Sequence, residues 1–310
     1  MRAPDFWNHR GPIALLLAPL GMLYGLSVAL KARLSSPYKA SVPVICVGNL
    51  TAGGSGKTPV AMAVGEALRQ RGKKVFFLTR GYGGSEAGPL LVADQSAEKV
   101  GDEALLLAAI APTVVAADRA AGARFAEANG AEIIVMDDGH QNFSLVKTLS
   151  LVVVDGLGNQ LMLPAGPLRE SVAQGLGRAN AVVNFGKEDL APYQGAVINA
   201  RLEPEGSDLS GKRVFAFAGI GRPEKFTLSL KDAGAIVTGA QFFGDHHAYT
   251  QAEIAGLRQQ AKDAALVTTQ KDYVRLPADL RAGIAVLKVR VRFDNPGLLA
   301  PLLDSLLAAV

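Results

Sequence analysis

The sequence predicts an α/β fold in which a parallel sheet carries helices on both faces. Three observations support this class. Short, unbroken apolar runs recur along the chain, Ala- and Leu-rich stretches with helical spacing lie between several of them, and a glycine-rich loop links the first run to the first of these helices. Apolar strands that alternate with helices are typical of βαβ units, because a parallel sheet is buried on both faces. We therefore expect ligands beyond the carboxyl ends of the strands.

The predicted elements follow one another in a regular order. The predicted strands of the first half are Val42–Val47, Lys74–Thr79, Thr113–Ala116, Ile133–Met136, Leu151–Val154 and Ala181–Phe185. The predicted helices between them are Pro59–Leu68, Asp102–Ile110 and Arg119–Asn129. A second βα series contains strands at Arg213–Phe217, Ile236–Thr238, Ala265–Thr269 and Val286–Val291, and an apolar helix at Gly297–Val310.

The glycine-rich loop has the character of a phosphate-binding P-loop. A strand, a Gly-rich turn, Lys-Thr and a helix together hold a nucleotide triphosphate, because backbone N–H groups turn towards the phosphate oxygens. Lys57 supplies a charge for the outer phosphates, and Thr58 offers a hydroxyl to Mg²⁺. A Walker A loop would have Gly where Thr51 stands. The predicted nucleotide contacts are Thr51, Ala52, Gly53, Gly54, Ser55, Gly56, Lys57 and Thr58.

A polar, turn-forming stretch at 203–211 is the best candidate for a domain boundary. It predicts an N-terminal hydrophobic helix at residues 1–34, a P-loop domain at 35–205 and a smaller C-terminal α/β domain at 206–310. At 310 residues, the chain is long enough for two such domains.

Composition narrows the class of partner. The net charge of +4 suits an anionic substrate or an anionic membrane surface, and the sparse aromatic residues argue against nucleic acid. Cys46 is the only cysteine, so no disulfide forms within the chain and a reducing compartment is expected.

The segment Gly11–Leu30 has no charged residue and is flanked by basic residues. A bilayer span needs about 20 apolar residues, so this segment is of borderline length. Three interpretations stay open: a single span, a helix lying in the membrane interface, or a soluble hydrophobic hairpin or helix packed on the core. If it attaches to a membrane, the bulk of the chain faces the cytoplasm, where ATP is found.

Several acidic residues are candidates for catalysis. Asp137 and Asp138 end an apolar strand, as in a Walker B element that orients Mg²⁺. Neighbouring side chains on an extended backbone point in opposite directions, so these two have different roles. Asp102 opens a helix and is either a helix cap or a general base for an acceptor hydroxyl.

Four further motifs carry polar groups on loops. Arg80–Gly84 can bind a phosphate or a sugar, or form a surface turn, and Pro164–Glu170 presents an Arg-Glu pair. His246-His247 lacks the further ligands of a zinc site, so a nucleotide or substrate contact is favoured. Gln270–Asp272 lacks the Asn-Lys-x-Asp order that reads guanine, which favours ATP over GTP.

Eight motifs, which span nearly the whole chain, occur in an ordered set. They are VPVICVGNLTAGGSGKTPV (Val42–Val60), LTRGYGG (Leu78–Gly84), VGDEALLLA (Val100–Ala108), MDDGHQN (Met136–Asn142), LPAGPLRE (Leu163–Glu170), FAGIGRPEKF (Phe217–Phe226), GDHHAYT (Gly244–Thr250) and TTQKDYVRL (Thr268–Leu276). The set resembles the tetraacyldisaccharide 4′-kinase family of Gram-negative bacteria. The resemblance implies an ATP- and Mg²⁺-dependent kinase that phosphorylates the 4′-hydroxyl of a tetraacylated glucosamine disaccharide 1-phosphate in lipid A biosynthesis. It also implies an active site on the cytoplasmic face of the inner membrane, with no nucleic acid and no obligate protein partner.

The resemblance further implies roles for individual residues. Asp102 would be the general base with Asp138 as its supporting carboxylate, and Lys57 would stabilise the migrating phosphoryl group. Arg169 matches an active-site arginine of the family, and His246 a nucleotide contact. The implied metal ligands are Thr58, Asp137, Gln141 and Glu170.

Three residues depart from the family pattern. His140 stands where Phe is usual, Asn142 where His is usual, and Gln270 where Glu is common. We expect His140 to replace the missing His in part. A carboxylate role at position 270 cannot be carried over.

Two other functions remain open from the sequence. One is a soluble kinase or ligase of a small metabolite on the same fold. The other is a membrane-recruited switch ATPase, although Ala52 stands near the start of the loop where such proteins carry a lysine.

Overall fold

The computed structural model describes residues 4–186, 188, 190, 193–206 and 209–308. The strands of the first half are β1 (Val44–Asn49), β2 (Val75–Thr79), β3 (Leu90–Leu91), β4 (Thr113–Val115), β5 (Ile133–Asp137), β6 (Leu149–Val154) and β7 (Ala181–Asn184). Its helices are α1 (Pro12–Leu34), α2 (Lys57–Gln70), α3 (Ala97–Val100), α4 (Asp102–Ala108), α5 (Arg119–Ala128) and α6 (Val172–Leu176).

The second half continues the alternation. Its strands are β8 (Ala196–Glu205), β9 (Arg213–Ala218), β10 (Ile236–Phe242), β11 (Ala265–Thr269) and β12 (Ile284–Phe293). Its helices are α7 (Pro223–Asp232), α8 (Gln251–Ala261), α9 (Gln270–Arg275) and α10 (Pro296–Ala308), and short 3-10 turns lie at Asp5–Asn8 and Ala278–Leu280. The predicted strands are confirmed, while β3 and β8 had not been predicted. The last two residues of the predicted C-terminal helix, 309 and 310, lie outside the described residues.

Within the described residues, the twelve strands form one sheet in the order β10-β9-β11-β12-β8-β7-β6-β1-β5-β2-β4-β3. Neighbouring strands from β7 to β4 in this order are parallel. The pair formed by β8 and β12 and the pair formed by β3 and β4 are antiparallel. Alternate residues of β1 enter different cores: Ile45 and Val47 pack with α2, and Val44 and Cys46 pack on the side of α5. Both faces of the sheet are therefore covered, as predicted.

The two halves of the chain share strands and a core. β8 pairs with β7 through its first residues and with β12 through its last, so the sheet continues from one half into the other. Helix α10 returns to the first half, where Leu299, Leu303 and Leu306 pack in the same core cluster as α2 and β1. The division at 205/206 stays a prediction, and the structure shows that α10 packs with the core of the first half.

Helix α1 attaches to the body by its small residues. Ala14, Gly21 and Gly25 are buried, and a Cβ at Gly21 would come within 2.8 Å of the Met162 carbonyl oxygen. Its large apolar side chains face outward: Leu16 is 79% exposed and Leu23 is 63% exposed. Among the described residues, this is the one helix that is long and apolar enough to cross a membrane, a test that core helices and signal sequences also pass.

The packing of α10 generates a stability prediction. Leu303 is 1% exposed, so Leu303→Ala should lower the free energy of unfolding by about 2 to 5 kcal/mol, because it leaves a cavity in the core of the first half. Urea unfolding measures the change. Leu298→Ala is the control: this side chain on the same helix is 38% exposed, and its loss should cost less than about 0.5 kcal/mol. Equal effects of the two substitutions would contradict the packing described.

Candidate active site

The P-loop runs from the end of β1 to the first turn of α2. Gly56 has a φ of 81° and precedes the helix, a left-handed conformation that glycine adopts without strain. A Cβ built at Gly53 or Gly54 would meet no atom within 4 Å, so the loop opens onto free space. The loop therefore has the shape of a cradle at a helix N-terminus, which favours anions.

Neighbouring polar groups hold this loop from behind. The buried Asn49 donates from Nδ2 to the Thr51 carbonyl oxygen at 2.7 Å and to Ser55 Oγ at 2.8 Å. The Ala52 N–H donates to the Pro167 carbonyl oxygen at 2.8 Å. Thr51 lies in an isolated bridge with Leu168, so the loop at 163–170 lies along the P-loop. These contacts fix the start of the loop, where the Walker A glycine is replaced by threonine.

Thr58 and Asp137 meet at the base of the site. Thr58 Oγ1 donates to Asp137 Oδ2 at 2.9 Å, while Asp137 Oδ1 is buried and has no hydrogen-bond partner among the described residues. Burial and the charge of Asp138 raise the pKa of Asp137 to about 6. An unpartnered buried carboxylate oxygen beside a threonine hydroxyl suits a hard cation, which takes oxygen ligands.

Asp138 lies in a different environment from Asp137. Its φ of 50° turns it out of the extended conformation of β5. Arg169 Nη1 lies 2.9 Å from Asp138 Oδ1, and Lys57 Nζ lies 3.7 Å from Asp138 Oδ2. Burial disfavours the charged form, but the charges of Lys57 and Arg169 outweigh it and lower the pKa of Asp138. The acidic pair is therefore split: one carboxylate holds two cations, and the other faces the threonine hydroxyl.

These observations test whether the site fits ATP and Mg²⁺. The open cradle, the lysine at the helix N-terminus and the free oxygen of Asp137 provide the donor and ligand types that a Mg²⁺-bound triphosphate needs. The residues present therefore fit both groups.

Gln141 and Glu170 lie together beside the end of β1. Gln141 Nε2 donates to the Asn49 carbonyl oxygen and to Glu170 Oε1, both at 2.8 Å. Arg178 Nη2 lies 2.8 Å from Glu170 Oε1 and 2.6 Å from Oε2. Glu170 is 1% exposed, and these contacts with Arg178 balance its buried charge. A metal role for Gln141 and Glu170 stays a prediction.

Asp102 opens α4 and is 2% exposed. Its Oδ2 lies 2.8 Å from Arg275 Nε, 3.3 Å from His246 Nδ1 and 3.9 Å from Lys271 Nζ. Burial favours the neutral acid, but the hydrogen bond to His246 and the charges of Lys271 and Arg275 hold the pKa of Asp102 well below its usual range. Asp102 is therefore a buried, ionised carboxylate in contact with cations of the second half.

The two histidines of the His246-His247 pair lie in different surroundings. His246 contacts Asp102, and its ring lies 5.3 Å from that of Tyr82 in the Arg80–Gly84 loop. His247 lies 3.1 Å from Glu253 and stacks on Phe243, away from Asp102. Of the two, His246 is the one beside the acidic residue.

His140 does not take the role that we expected of it. It is 1% exposed, and its ring nitrogens lie 3.1 Å from Ser150 Oγ and 2.9 Å from the Gly175 carbonyl oxygen. Both nitrogens are engaged inside the protein, so His140 cannot replace a ligand-facing histidine at position 142.

The cations of α9 were not among the predicted site residues. In the sequence, Gln270–Asp272 served only as a test for guanine recognition, whereas in the structure Lys271 and Arg275 contact Glu103 and Asp102. Their i, i+4 spacing on a helix was the available signal, because such residues share one face.

Comparison with known proteins agrees with this site. The family model described as tetraacyldisaccharide-1-P 4′-kinase matches residues 13–307. The chain belongs to this family. It is similar to the tetraacyldisaccharide 4′-kinase of Paramagnetospirillum magneticum (52% identity, 98% of each chain) and to that of Rhodospirillum rubrum (49% identity, 99% of this chain and 98% of the other).

A solved structure shares the fold. The crystal structure of LpxK from Aquifex aeolicus in complex with ATP matches with a TM-score of 0.79 at 27% identity, covering 94% of this chain and 99% of the other. The chain is therefore a kinase of a lipid A precursor that uses ATP and Mg²⁺.

The burial of His140 generates a prediction for the protein without nucleotide. Burial lowers the pKa of His140 to about 4, whereas an unfolded histidine has a pKa near 6.5. Between these values only the unfolded chain binds the proton. The contribution of His140 to the free energy of unfolding is therefore fully present above pH 6.5 and falls by about 3 kcal/mol by pH 4.

Urea unfolding across this pH range measures the loss. The His140→Phe variant should show a shallower decline between pH 6.5 and 4 than the parent chain. If the free energy of unfolding falls equally in both proteins over this pH range, the loss does not come from His140.

Proposed function

We propose that the chain carries out phosphoryl transfer with the P-loop holding ATP and with Asp102 accepting the proton of the acceptor 4′-hydroxyl. The observation that carries the proposal is the position of Asp102, a buried carboxylate at the start of α4 whose Oδ2 contacts Arg275 and His246, partners that favour its charged form. A carboxylate that stays deprotonated can accept a proton as the hydroxyl attacks. Phosphoryl transfer passes through a loose transition state, so a weak base suffices.

The cations of the P-loop side have separate roles. Lys57 lies at the helix N-terminus and stabilises the charge that develops on the transferred group. Arg169 and Lys57 both contact Asp138, which holds them in place before ATP arrives. Asp138 thus supports the reaction by positioning two cations. His246 orients Asp102 and contacts the nucleotide.

Mg²⁺ would be held by Thr58 and Asp137, with Gln141 and Glu170 as further ligands. When bound, the ion neutralises charge on the phosphate oxygens. Thr58 and Asp137 are favoured by the free Oδ1 of Asp137. Glu170 must give up part of its contact with Arg178 to act in this way.

The acceptor is a tetraacylated disaccharide 1-phosphate, and its acyl chains require a nearby bilayer. The outward-facing leucines of α1 support attachment to the cytoplasmic face of the inner membrane. The active site then faces the ATP pool, and no obligate protein partner is needed.

The role of Asp102 predicts a split between catalysis and binding. Asp102→Asn should lower kcat by about 10²- to 10⁴-fold, because the amide cannot accept the proton, while the Kd for ATP changes much less. Transfer of phosphate from ATP to the disaccharide lipid gives kcat, and equilibrium binding gives Kd. Unchanged turnover in Asp102→Asn would refute the base assignment.

The role of α1 predicts a change in membrane binding. The double variant Leu16→Lys/Leu23→Lys should reduce the fraction that sediments with phosphatidylethanolamine–phosphatidylglycerol vesicles, since each buried lysine costs about 3 kcal/mol in a bilayer. The control is Leu228→Lys, which changes an exposed leucine of α7 and should bind like the parent chain. Undiminished sedimentation of the double variant would exclude α1 as the anchor.

A further inference from the structure

We propose that Lys271, on α9 in the second half of the chain, is a further catalytic residue that contacts the transferring phosphoryl group. The inference rests on the proposed role of Asp102 as the base. It gives the second half of the chain a direct part in the chemistry.

The position of Lys271 follows from its contacts. Its Nζ lies 2.5 Å from Glu103 Oε1 and 3.9 Å from Asp102 Oδ2. A hydroxyl bound to Asp102 sits about 3 Å from that carboxylate, and the phosphorus it attacks lies about 3 to 3.5 Å beyond it. The flexible four-carbon stem of the lysine can span this range.

The charge of Lys271 affects groups on both sides of the site. It acts to lower the pKa of Asp102 and of Glu103, with which it forms ion pairs, and it also acts to lower the pKa of Lys57 and of Asp137 on the P-loop side. The ammonium group of Lys271 therefore lies beside the proposed base, and its charge also acts on the phosphate side of the site. A cation at this place stabilises charge that grows on the phosphoryl oxygens.

The other cation of α9 is not free to do this. Arg275 is 5% exposed in its side chain and is held by Asp102, Asp272 and the Gly219 carbonyl oxygen. Lys271 is 29% exposed in its side chain, and its closest partner among the described residues is the Glu103 carboxylate. Of the two cations, Lys271 is the one that can exchange its partner for a phosphate oxygen.

Glu103 is suited to release the lysine. Its Oε2 is buried without a hydrogen-bond partner among the described residues. Burial raises the pKa of Glu103 to about 7, so a solvent proton can neutralise the carboxylate when the ammonium moves to the phosphoryl group. The exchange thus leaves no uncompensated charge behind.

The test compares variants of the full chain in the lipid phosphorylation assay. Lys271→Met should lower kcat by about 10²- to 10³-fold, in the range seen when one transition-state donor is removed, with a much smaller change in the KM for ATP. Lys271→Arg keeps a cation and should recover part of kcat. The matched control is Lys231→Met, which removes an exposed lysine from the last turn of α7 and should leave kcat unchanged.

A double variant separates catalysis from charge balance. If Lys271 only neutralises Glu103, then Glu103→Gln/Lys271→Met should restore kcat to the value of Glu103→Gln alone. If Lys271 contacts the phosphoryl group, the double variant stays as slow as Lys271→Met. An unpaired, buried Glu103 carboxylate could destabilise Lys271→Met. The double variant has no such carboxylate, so its kcat still tests the proposal if Lys271→Met folds poorly.

The outcomes are distinguishable from failure of the proposed function. If the parent chain makes phosphorylated lipid and Asp102→Asn does not, but Lys271→Met keeps its kcat or the double variant restores it, this inference is overturned alone. If Asp102→Asn keeps full turnover, the proposed base is wrong, and the inference for Lys271 fails with it.

Discussion

The hydrogen bond from Thr58 to Asp137 is the interaction on which the phosphate side of the site depends. It joins the first turn of α2 to the end of β5, and β1, which leads into the P-loop, pairs directly with β5. The helix N-terminus, the lysine and the free carboxylate oxygen are therefore fixed relative to one another by the core of the sheet. A preorganised set of this kind need not rearrange when charge develops on the phosphate, which is how such sites accelerate transfer.

Charge balance is the second constraint, and it links the two halves of the chain. Asp102 and Glu103 belong to the first half, but the cations beside them, Arg275 and Lys271, belong to the second. A buried carboxylate without its partner is costly, so α9 must pack on α4 for Asp102 to remain ionised. The continuous sheet through β8 and β12 keeps the two halves in register for this contact.

Local sequence patterns predicted most of the fold and only part of the site. Apolar runs predicted the parallel strands, and the glycine-rich pattern from Thr51 to Thr58 predicted nucleotide binding. β8 was missed because it is a partly exposed strand that mixes apolar, charged and proline residues. The contact of Asp102 with Arg275 was missed for a different reason: these residues belong to distant segments, and their contact depends on tertiary packing, which spacing along the chain does not record. His140 failed as a substitute ligand because Gly48 leaves room for it to pack inward against β1.

We expect this cradle to deliver the γ-phosphate of ATP to a glycolipid hydroxyl. The most direct test incubates the purified chain with γ-labelled ATP, Mg²⁺ and tetraacyldisaccharide 1-phosphate, and locates the label in the lipid by mass spectrometry. We expect one added phosphate at the 4′ position. Release of labelled inorganic phosphate with no labelled lipid would contradict it.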